Sequence, residues 1–274
     1  MAMMHQRMGF YVAPNGRLLI LAFYGHAPNP WGAAGIGRVV REVCRDGADG
    51  PIYFLRYNSL AKRDENNTTT FPFYARSDDR GFIDACNALL ADKLKTIQWQ
   101  EEDRTTDGFY TVPGQVLQAP SVYHRKDGMA VALWKASWAA LSSDEGRSWS
   151  TPVRVPSIVT DGAKTWGQRT DDGRYAIVYN PADFGSHRWP LAVATGDDGI
   201  VFKDMLLING EVPPRRFIGR AKDFGSQYVR GICEGNGNPP GSDMWITFSS
   251  NKEDIWVSRI PVPIRNSAAC PSDG

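Results

Sequence analysis

Short runs of alternating apolar and polar residues, separated by turns containing glycine or proline, recur along most of the chain. The first run, residues 8–13, is followed by Pro14-Asn15-Gly16 and by a second run at residues 17–24. Alternation with a period of two is typical of β-strands, and a turn of this composition joins two strands of a hairpin. Two further strands are predicted at residues 37–45 and 51–57. Four strands in succession predict one antiparallel sheet.

The same pattern returns in three later segments, residues 119–156, 164–210 and 227–260, each of which predicts another sheet. Apolar residues recur at helical spacing between the first two sheets: Phe82, Ile83, Cys86, Leu89, Leu90 and Leu94. This spacing predicts a helix over residues 79–96. We expect residues 60–107 to form a loop-and-helix insertion that covers the edge of a sheet.

The segment Ser142-Ser143-Asp144-Glu145-Gly146-Arg147-Ser148-Trp149 reads S-x-D-x-G-x-x-W and lies between two predicted strands. The Asp side chain can accept hydrogen bonds from backbone N–H groups ahead of it, and Gly146 can adopt a positive φ. Trp149 can fold back over the turn as an apolar plug. We therefore expect Asp144 and Trp149 to be structural rather than to contact a ligand.

The motif recurs in weaker form about fifty residues later, as Thr195-Gly196-Asp197-Asp198-Gly199-Ile200-Val201-Phe202. Two copies in register indicate a repeat architecture, and they resemble the Asp-box repeat of sialidase-like β-propellers. The resemblance implies an all-β fold, a β-propeller of four-stranded antiparallel blades with one inserted helix. We count about four blades in a single domain, residues 1–274. Either the propeller is small, or this chain is the C-terminal part of a larger, seven-bladed propeller. The start of the first blade almost at the first residue favours the second alternative.

Composition limits the possible partners. The chain has 274 residues, a formal net charge of +1 and 11% aromatic residues. This balance does not favour binding to nucleic acid or to an acidic membrane surface, and no apolar run is long enough to span a bilayer. No signal peptide is recognisable at the start of the sequence. The four cysteines show no metal-binding spacing, and buried free thiols are expected.

Propeller geometry places the candidate site on one face, where each first strand begins and where the second and third strands are joined. We expect the segments that contain His124, Arg169 and Arg230 to reach that face, together with the loops that bear His26 and residues 180–188. Arg169 and Arg230 lie on predicted innermost strands, where a guanidinium needs an anion. They either grip a substrate carboxylate in bidentate geometry or form structural ion pairs, for example with Glu234 or Asp171.

Other residues on this face are candidates for catalysis or substrate binding. His26 and Tyr228 are candidate proton donors and acceptors, although a lone histidine is more often a surface or capping residue. Trp166 either stacks on a sugar ring or packs the channel. The remaining candidates for substrate binding are Gln168 and Glu234, and His124 and His187 are weaker candidates for the site.

Further segments carry a more specific resemblance: Gly37-Arg-Val-Val-Arg-Glu, Lys164-Thr-Trp-Gly-Gln-Arg-Thr and Gln227-Tyr-Val-Arg-Gly-Ile through Asn251-Lys-Glu-Asp-Ile-Trp-Val-Ser-Arg-Ile-Pro-Val-Pro. They resemble the L-rhamnose-α-1,4-D-glucuronate lyases and the related α-L-rhamnosidases. The resemblance implies a seven-bladed propeller, calcium in the channel of some members and an acidic plant glycan as the partner. It also implies a secreted or periplasmic full-length protein.

The lyase reaction suits these residues. β-Elimination needs a neutralised uronate carboxylate, a role for Arg169 and Arg230, and a base and an acid such as His26 and Tyr228. A conventional glycosidase instead needs two carboxylates flanking the bond, and the face offers few, with Glu234 as the first candidate and Asp183 as the second. The alternatives are a sialidase-like or rhamnosidase hydrolase and, from another class, a non-catalytic glycan-binding propeller.

Overall fold

The computed structural model describes residues 3–26, 35–47, 49–66, 71–101, 107–114, 117–182, 188–219, 223–231 and 243–265. The chain divides into two compact units, Met1–Thr111 and Val112–Gly274. The two units are therefore taken in turn. The predicted single domain and the predicted boundaries of the 60–107 insertion stay predictions.

The first unit is built on a sheet of four antiparallel strands that follow one another in chain order. The strands are β1 (Met3–Val12), β2 (Leu18–His26), β3 (Gly35–Val43) and β4 (Tyr53–Tyr57). The turn between β1 and β2 contains Gly16 at a φ of 81°, and Gly16 N donates to Ala13 O at 2.8 Å. The predicted hairpin is thus confirmed.

Two helices, α1 (Arg80–Ala91) and α2 (Lys93–Thr96), replace the single helix predicted over residues 79–96. Asp79 caps α1 by accepting a hydrogen bond from Phe82 N at 3.1 Å. Asp92 leaves the helical conformation (φ −73°, ψ 92°) and accepts a hydrogen bond from Lys95 N at 2.9 Å. A residue that caps a following turn competes with the helix hydrogen bonds behind it, so the helix breaks at Asp92.

The apolar face of α1 packs against the sheet of the first unit. Its buried side chains share one core with residues of β2, β3 and β4: Leu19, Leu21, Val40, Leu55, Phe82, Ile83, Ala85, Cys86 and Leu89. Arg17 fastens the cap to the hairpin, because its Nη1 atom lies 2.6 Å from Glu42 Oε2 and 2.7 Å from Asp79 Oδ2. The hydrogen bond from Arg17 holds the pKa of Asp79 below its usual value.

The second unit contains three antiparallel sheets, each formed by strands consecutive in the chain. The first sheet contains β5 (Ser121–His124), β6 (Ala130–Leu133), β7 (Trp138–Ser142) and β8 (Val153–Arg154). The second contains β9 (Trp166–Arg169), β10 (Tyr175–Tyr179), β11 (Leu191–Gly196) and β12 (Lys203–Asn209). The third has three strands among the described residues: β13 (Ser226–Gly231), β14 (Met244–Ser250) and β15 (Asp254–Ile260). Serial antiparallel blades of this kind confirm the predicted all-β propeller class.

Neighbouring blades of the second unit pack through large apolar side chains. Tyr123 and Leu133 of the first blade share a core with Tyr175 and Ile177 of the second. Trp166 and Val178 of the second blade share another core with the third, in which Ile246 is fully buried. Among the described residues, no helix is long and apolar enough to cross a membrane.

The first Asp box has the predicted local structure. Asp144 Oδ1 accepts hydrogen bonds from Ser148 N and Ser142 Oγ, both at 2.8 Å, and Asp144 Oδ2 accepts one from Ser148 Oγ at 2.6 Å. Gly146 has a φ of 76°. The Trp149 ring is buried at 5.9 Å from the Trp134 ring, in an edge-to-face arrangement. Every one of these contacts lies within the turn or the blade beneath it, in accord with a structural motif.

The second Asp box departs from the pattern. Asp197 occupies the position of Asp144, yet its carboxylate contacts Arg174 Nε at 2.8 Å. Asp198 makes the backbone contacts instead, since its Oδ1 accepts from Ile200 N and Val201 N, both at 2.8 Å. Phe202 is buried in the place of Trp149. The spacing therefore identified the turn, but the capping carboxylate is the next residue along the chain.

Candidate functional site

One end of the blades in the second unit carries the start of each first strand and the turn that joins the second and third strands. We call this end the entry face. It includes the turn Lys135–Ser137 between β6 and β7, the turn at residues 251–253 between β14 and β15, and the segments that precede β9 and β13. The Asp boxes join third to fourth strands, so antiparallel order places them at the opposite end.

A cavity of about 150 Å³ lies at the entry face. Residues of all three blades of the second unit line it: Lys135, Gly162, Lys164, Arg188, Asp223, Gln227 and Tyr228. We call it the entry-face pocket. Among the lining residues that the structure describes, three side chains are cationic and one is a carboxylate, so this part of the lining carries a net positive charge although the whole chain is nearly neutral.

Backbone hydrogen bonds hold Arg188 in the wall of the pocket. Arg188 N donates to Phe224 O at 2.8 Å, and Ser226 N donates to Arg188 O at 2.7 Å. The guanidinium is anchored as well, because Nη1 donates to Asp161 O at 2.9 Å and Nη2 donates to Gly162 O at 3.4 Å. The arginine is thus fixed to the segments that lead into β9 and β13.

The turn between β14 and β15 is fastened to the same segment. Asn251 Oδ1 accepts a hydrogen bond from Gly225 N at 2.9 Å, and Asn251 Nδ2 donates to Pro213 O at 2.8 Å. The next residue, Lys252, places its Nζ atom 3.5 Å from Asp223 Oδ2 and 5.3 Å from the centroid of the Tyr228 ring. A fourth cation therefore stands beside the pocket and contacts Asp223.

Tyr228, which lines the pocket, has an unusual backbone conformation. Its φ of 55° lies in the left-handed region, which is a marked outlier for a bulky side chain. The strand register between β13 and β14 shifts between Gln227 and Arg230, so the strained residue sits in a bulge. Its side chain is 51% exposed. The surrounding structure thus holds an exposed phenol in a strained conformation on an innermost strand. Backbone outliers of this kind cluster at functional sites.

Three other predicted residues come together deeper in the second unit. Trp166 is only 4% exposed, and its Nε1 atom donates to Gln168 Oε1 at 2.8 Å. The guanidinium carbon of Arg230 lies 5.9 Å from the centroid of the Trp166 ring. Gly231 packs so tightly here that a Cβ would stand 2.2 Å from Trp166 Nε1. Trp166 and Gln168 are thus packed against other parts of the protein, as in the alternative that Trp166 packs the channel. Arg230 lies against them.

Arg169 follows Gln168 at the far end of β9 from Trp166. It is the last residue of β9 and pairs with Tyr175 of β10, next to the turn that joins these strands. About 10 Å of strand, three residues at roughly 3.3 Å each, separates it from Trp166 at the start of β9. The structure therefore does not bring Arg169 to the entry face with Tyr228.

The remaining predicted residues are not gathered around Tyr228 by the described structure. His26 ends β2 in the first unit, and its side chain is outside the described part, as are Glu234, Asp183 and His187. His124 was expected on the entry face. It instead ends β5, and its Nε2 atom lies 3.0 Å from Glu145 Oε1 in the first Asp box. A role for His26 with Tyr228 stays a prediction.

The calcium implied by the family resemblance does not fit the residues described. Among them, no three His, Cys, Asp or Glu side chains come together as metal ligands. The carboxylate that lines the entry-face pocket, Asp223, is in contact with Lys252. Calcium takes about six to eight oxygen ligands, and we derive no step through it.

Comparison with known proteins supports the fold and identifies one similar solved structure. A family model described as "Beta-prop_BT_1020:-like, N-terminal beta propeller" matches residues 1–116. A solved structure described as "Sialidase" is similar to this chain, with 43% sequence identity and a TM-score of 0.84 over 96% of this chain and 24% of that chain. No curated protein matches the sequence significantly. The fold is therefore a sialidase-like β-propeller fold, and the chain spans about a quarter of the relative's length.

More distant structures are similar at a lower level. The intramolecular trans-sialidase from Ruminococcus gnavus is 11% identical, with a TM-score of 0.40 over 93% of this chain and 43% of that chain. The endo-arabinase from Bacteroides thetaiotaomicron is 10% identical, with a TM-score of 0.38 over 93% of this chain and 74% of that chain. At these scores neither supports an inference about a site or an activity.

Sequence reasoning missed the three charged lining residues Lys135, Lys164 and Asp223 of the entry-face pocket, and also Gly162. Lys135 lies in a turn whose next two residues, Ala136 and Ser137, have φ values of 58° and 57°. No glycine or asparagine marked these positions, so the sequence carried no signal for the left-handed turn. Lys164 and Asp223 were readable as residues just ahead of first strands, on the face that propeller geometry had already selected.

Proposed function

We propose that this chain is part of a carbohydrate-active protein that acts on a terminal acidic sugar of a glycan, with the entry face as part of its site. The observation that carries the proposal is Tyr228, an exposed phenol held in a strained conformation on an innermost strand. Lys252 stands over its ring. A positioned phenol can donate or accept a proton in catalysis.

The likeness to a protein described as a sialidase supports a glycan as the substrate. That likeness covers about a quarter of the relative, so the activity of the whole protein is a proposal for this chain. A sugar ring would stack on the exposed face of Tyr228, and its polar groups would meet the lysine and arginine side chains of the pocket.

The reaction we propose is β-elimination at a rhamnosyl-α-1,4-glucuronate linkage, as the motif resemblance implies. A base removes the C5 proton of the glucuronate, and its electron pair forms the C4–C5 double bond. The C4–O bond breaks, and an acid protonates the oxygen that leaves with rhamnose. Tyr228 is our candidate for one of these proton transfers and Arg230 for contact with the uronate, while His26 remains a candidate partner.

A second candidate reaction is hydrolysis of the glycosidic bond, as in a sialidase. Two observations favour it: the 43% identity to that protein, and the presence of a tyrosine and one carboxylate, Asp223, in the same pocket. Sialidases use a tyrosine nucleophile, whereas most glycosidases need two carboxylates. Tyr228 Oη would then attack the anomeric carbon as the glycosidic bond breaks, and Asp223 would carry the phenol proton to the leaving oxygen. Water would next attack the same carbon, which releases the sugar and returns a proton to Tyr228.

Product analysis separates the two reactions. The full chain is incubated with rhamnose-capped glucuronate oligosaccharide and, separately, with a sialylated oligosaccharide. Rhamnose release together with the far-ultraviolet absorbance of an unsaturated uronate supports elimination. Release of rhamnose or sialic acid without that absorbance supports hydrolysis.

The Tyr228→Phe variant tests the role of the phenol, because it removes the hydroxyl and keeps the ring. We expect at least a hundredfold loss of kcat with little change in the melting temperature. Arg169→Ala is the matched control at the far end of β9, and we expect it to retain activity. Glycan binding without any product would mean a non-catalytic binding module, and it would overturn the proposed reaction.

A further inference from the structure

We propose that the entry-face pocket binds a carboxylate, with Lys135, Lys164 and Arg188 as the cations that hold it and Asp223 as the residue that limits its affinity. The proposal rests on the proposed function for the ligand being a sugar, and it deepens it by naming the group recognised and the residues that recognise it. These residues are additional to Arg230, and they take the role that the sequence suggested for Arg169, which lies beside the turn to β10.

Charge is the first argument. Lys135, Lys164 and Arg188 reach one small cavity from two different blades, and Asp223 is the carboxylate that lines it with them. Lys252 already contacts Asp223 at 3.5 Å, so the carboxylate is shared with a fourth cation. An anion that entered the cavity would meet these cations at close range, where opposite charges attract most strongly.

Rigidity is the second argument. Two N–H groups of the Arg188 guanidinium donate to the carbonyl oxygens of Asp161 and Gly162. A guanidinium has five N–H donors, so three donors remain after these two. Its backbone is bridged on both sides to the segment ahead of β13. A donor fixed before the ligand arrives loses little freedom on binding.

Size and position give the third argument. A cavity of about 150 Å³ is smaller than the roughly 300–1,000 Å³ of sites for drug-sized ligands. It has room for an acid group and the adjacent ring atoms of one sugar, while the rest of the glycan would lie outside. Tyr228 belongs to the same lining and is half exposed, which places an aromatic face beside the sugar ring.

Asp223 and the cations of the pocket should have opposite effects on the affinity for an acidic sugar. A carboxylate in a carboxylate-binding pocket repels the ligand and competes for the same cations. Replacement of Asp223 with Asn should therefore strengthen binding of an acidic sugar. Replacement of a lysine in the lining should weaken it, and a merely structural role for both residues would not produce opposite effects.

The test measures binding of free sugars to the full chain by isothermal titration calorimetry at low ionic strength. The probes are D-glucuronate, N-acetylneuraminate and, as the uncharged control, D-glucuronate methyl ester. The variants are Lys164→Met, Arg188→Gln and Asp223→Asn, with Lys203→Met as the matched control, since Lys203 lies on β12 and pairs with Asp197 instead. Melting temperatures identify any variant that fails to fold, and Lys164→Met carries the test if Arg188→Gln does not fold.

We expect at least one acid to bind, the methyl ester to bind at least tenfold more weakly, and the acid to be bound about tenfold more weakly by Lys164→Met. Asp223→Asn should bind the acid several-fold more tightly, and Lys203→Met should match the wild type. The preferred acid, glucuronate or neuraminate, tells which source of carboxylate the pocket takes. Equal binding of acid and ester, or equal losses for Lys164→Met and Lys203→Met, would overturn the proposal.

The two proposals can fail separately. Carboxylate-dependent binding that Lys164→Met weakens, in a chain that cleaves no glycan, would leave the pocket standing and remove the proposed reaction. Cleavage of an acidic glycan at wild-type kcat/KM by Lys164→Met and Arg188→Gln would remove the pocket and leave the reaction standing.

Discussion

Gly225 lies so close to Arg188 that a Cβ atom at position 225 would stand 2.2 Å from the carbonyl oxygen of Arg188. That oxygen accepts the hydrogen bond from Ser226 N, and the φ of Gly225 is 103°. Close approach and an unusual φ both require glycine here. One residue without a side chain therefore allows the arginine of the pocket to dock on the strand that carries Tyr228.

The first prediction concerns this contact. Gly225→Ala should lower the free energy of unfolding by about 1–3 kcal/mol, because the backbone must shift and a positive φ is strained for alanine. The measurement is urea unfolding followed by tryptophan fluorescence. The variant should also lose acidic-sugar binding, since Arg188 moves with the strand.

Gly173→Ala is the matched control for this prediction. Gly173 also has a positive φ, 77°, but a Cβ there would meet only the end of the Lys126 side chain at 3.6 Å. It should show the φ cost of roughly 1 kcal/mol and keep its ligand binding. Equal losses of stability in the two variants would mean that the contact with Arg188 contributes nothing.

The second prediction concerns the strain at Tyr228. Asparagine adopts the left-handed region more readily than tyrosine, and strain of this kind costs of order 1–3 kcal/mol. Tyr228→Asn should therefore leave the free energy of unfolding unchanged or raise it by up to about 1 kcal/mol, despite the lost ring, while activity is abolished. Thermal and urea unfolding measure the first effect and product release the second.

Phe217→Asn serves as the comparison for Tyr228→Asn. Phe217 is 63% exposed, and its φ is not positive, so its replacement relieves no strain. We expect it to be neutral or slightly destabilising. A clear loss of stability for Tyr228→Asn beyond that of Phe217→Asn would contradict the idea that the Tyr228 conformation is imposed against its own preference.

The third prediction concerns the plug of the first Asp box. Trp149 is buried beside Trp134, and its Nε1 atom has no hydrogen-bond partner in the described structure. Trp149→Ala should cost about 3–5 kcal/mol for the lost ring. Trp149→Phe should cost only about 1–2 kcal/mol, because it keeps a ring and removes an unsatisfied N–H. Chemical denaturation measures the loss of unfolding free energy in the two variants. Similar losses would show that burial of the ring is not the main contribution of Trp149 to stability.

The sequence was informative wherever structure depends on local chemistry. The Pro-Asn-Gly hairpin and the turn around Asp144 were predictable because their hydrogen bonds join residues a few positions apart. The helix was located correctly, but its break at Asp92 was not, since a polar residue on a helix gives no sign that it will cap a second turn. In the second Asp box, the spacing alone does not show that Asp198 makes the backbone contacts, because a neighbouring arginine takes the carboxylate of Asp197.

The site depends on contacts between distant parts of the chain, which the sequence pattern does not predict. Tyr228 was singled out as a polar residue on an innermost strand, but its strain and its proximity to Lys252 come from a bulge and a turn that pack together. Arg169 looked equivalent to Arg230 because both follow the same strand pattern. The register of β9 places it beside the turn to β10. Such differences follow from where each strand begins and ends, which period-two alternation leaves uncertain by a few residues.

The fourth prediction concerns the cysteines, which were expected to be buried free thiols. Cys86 is free and buried, and Cys44 is free but exposed. Burial raises the pKa of the Cys86 thiol to about 12, which leaves almost no thiolate to react. Iodoacetamide at pH 8 should alkylate Cys44 in the folded protein and Cys86 only after unfolding, as mass spectrometry of the digested protein can show. Comparable labelling of both in the folded chain would contradict this packing.

The last prediction is a dependence of stability on pH that arises from Asp144. The hydroxyl of Ser148, its backbone N–H and the hydroxyl of Ser142 all donate to this carboxylate, and they lower its pKa from 3.8 to about 2. A depressed pKa in the folded state means that the carboxylate stabilises the fold above the unfolded-state pKa. That contribution is lost as the pH falls from about 4 to about 2.

Melting temperatures measured from pH 7 to pH 2 test this prediction through the difference between variants, since other carboxylates titrate in the same range. Asp144→Asn cannot ionise, so the gap between it and the wild type should be widest near neutral pH and should close as the pH approaches 2. Ser148→Ala removes the first of the donors and keeps the other two, so its stability should begin to fall at a higher pH than that of the wild type. A gap between the wild type and Asp144→Asn that stays constant over this range would mean that the charge on Asp144 does not stabilise the turn, and that the box is held by Ser142, Gly146 and Trp149 alone.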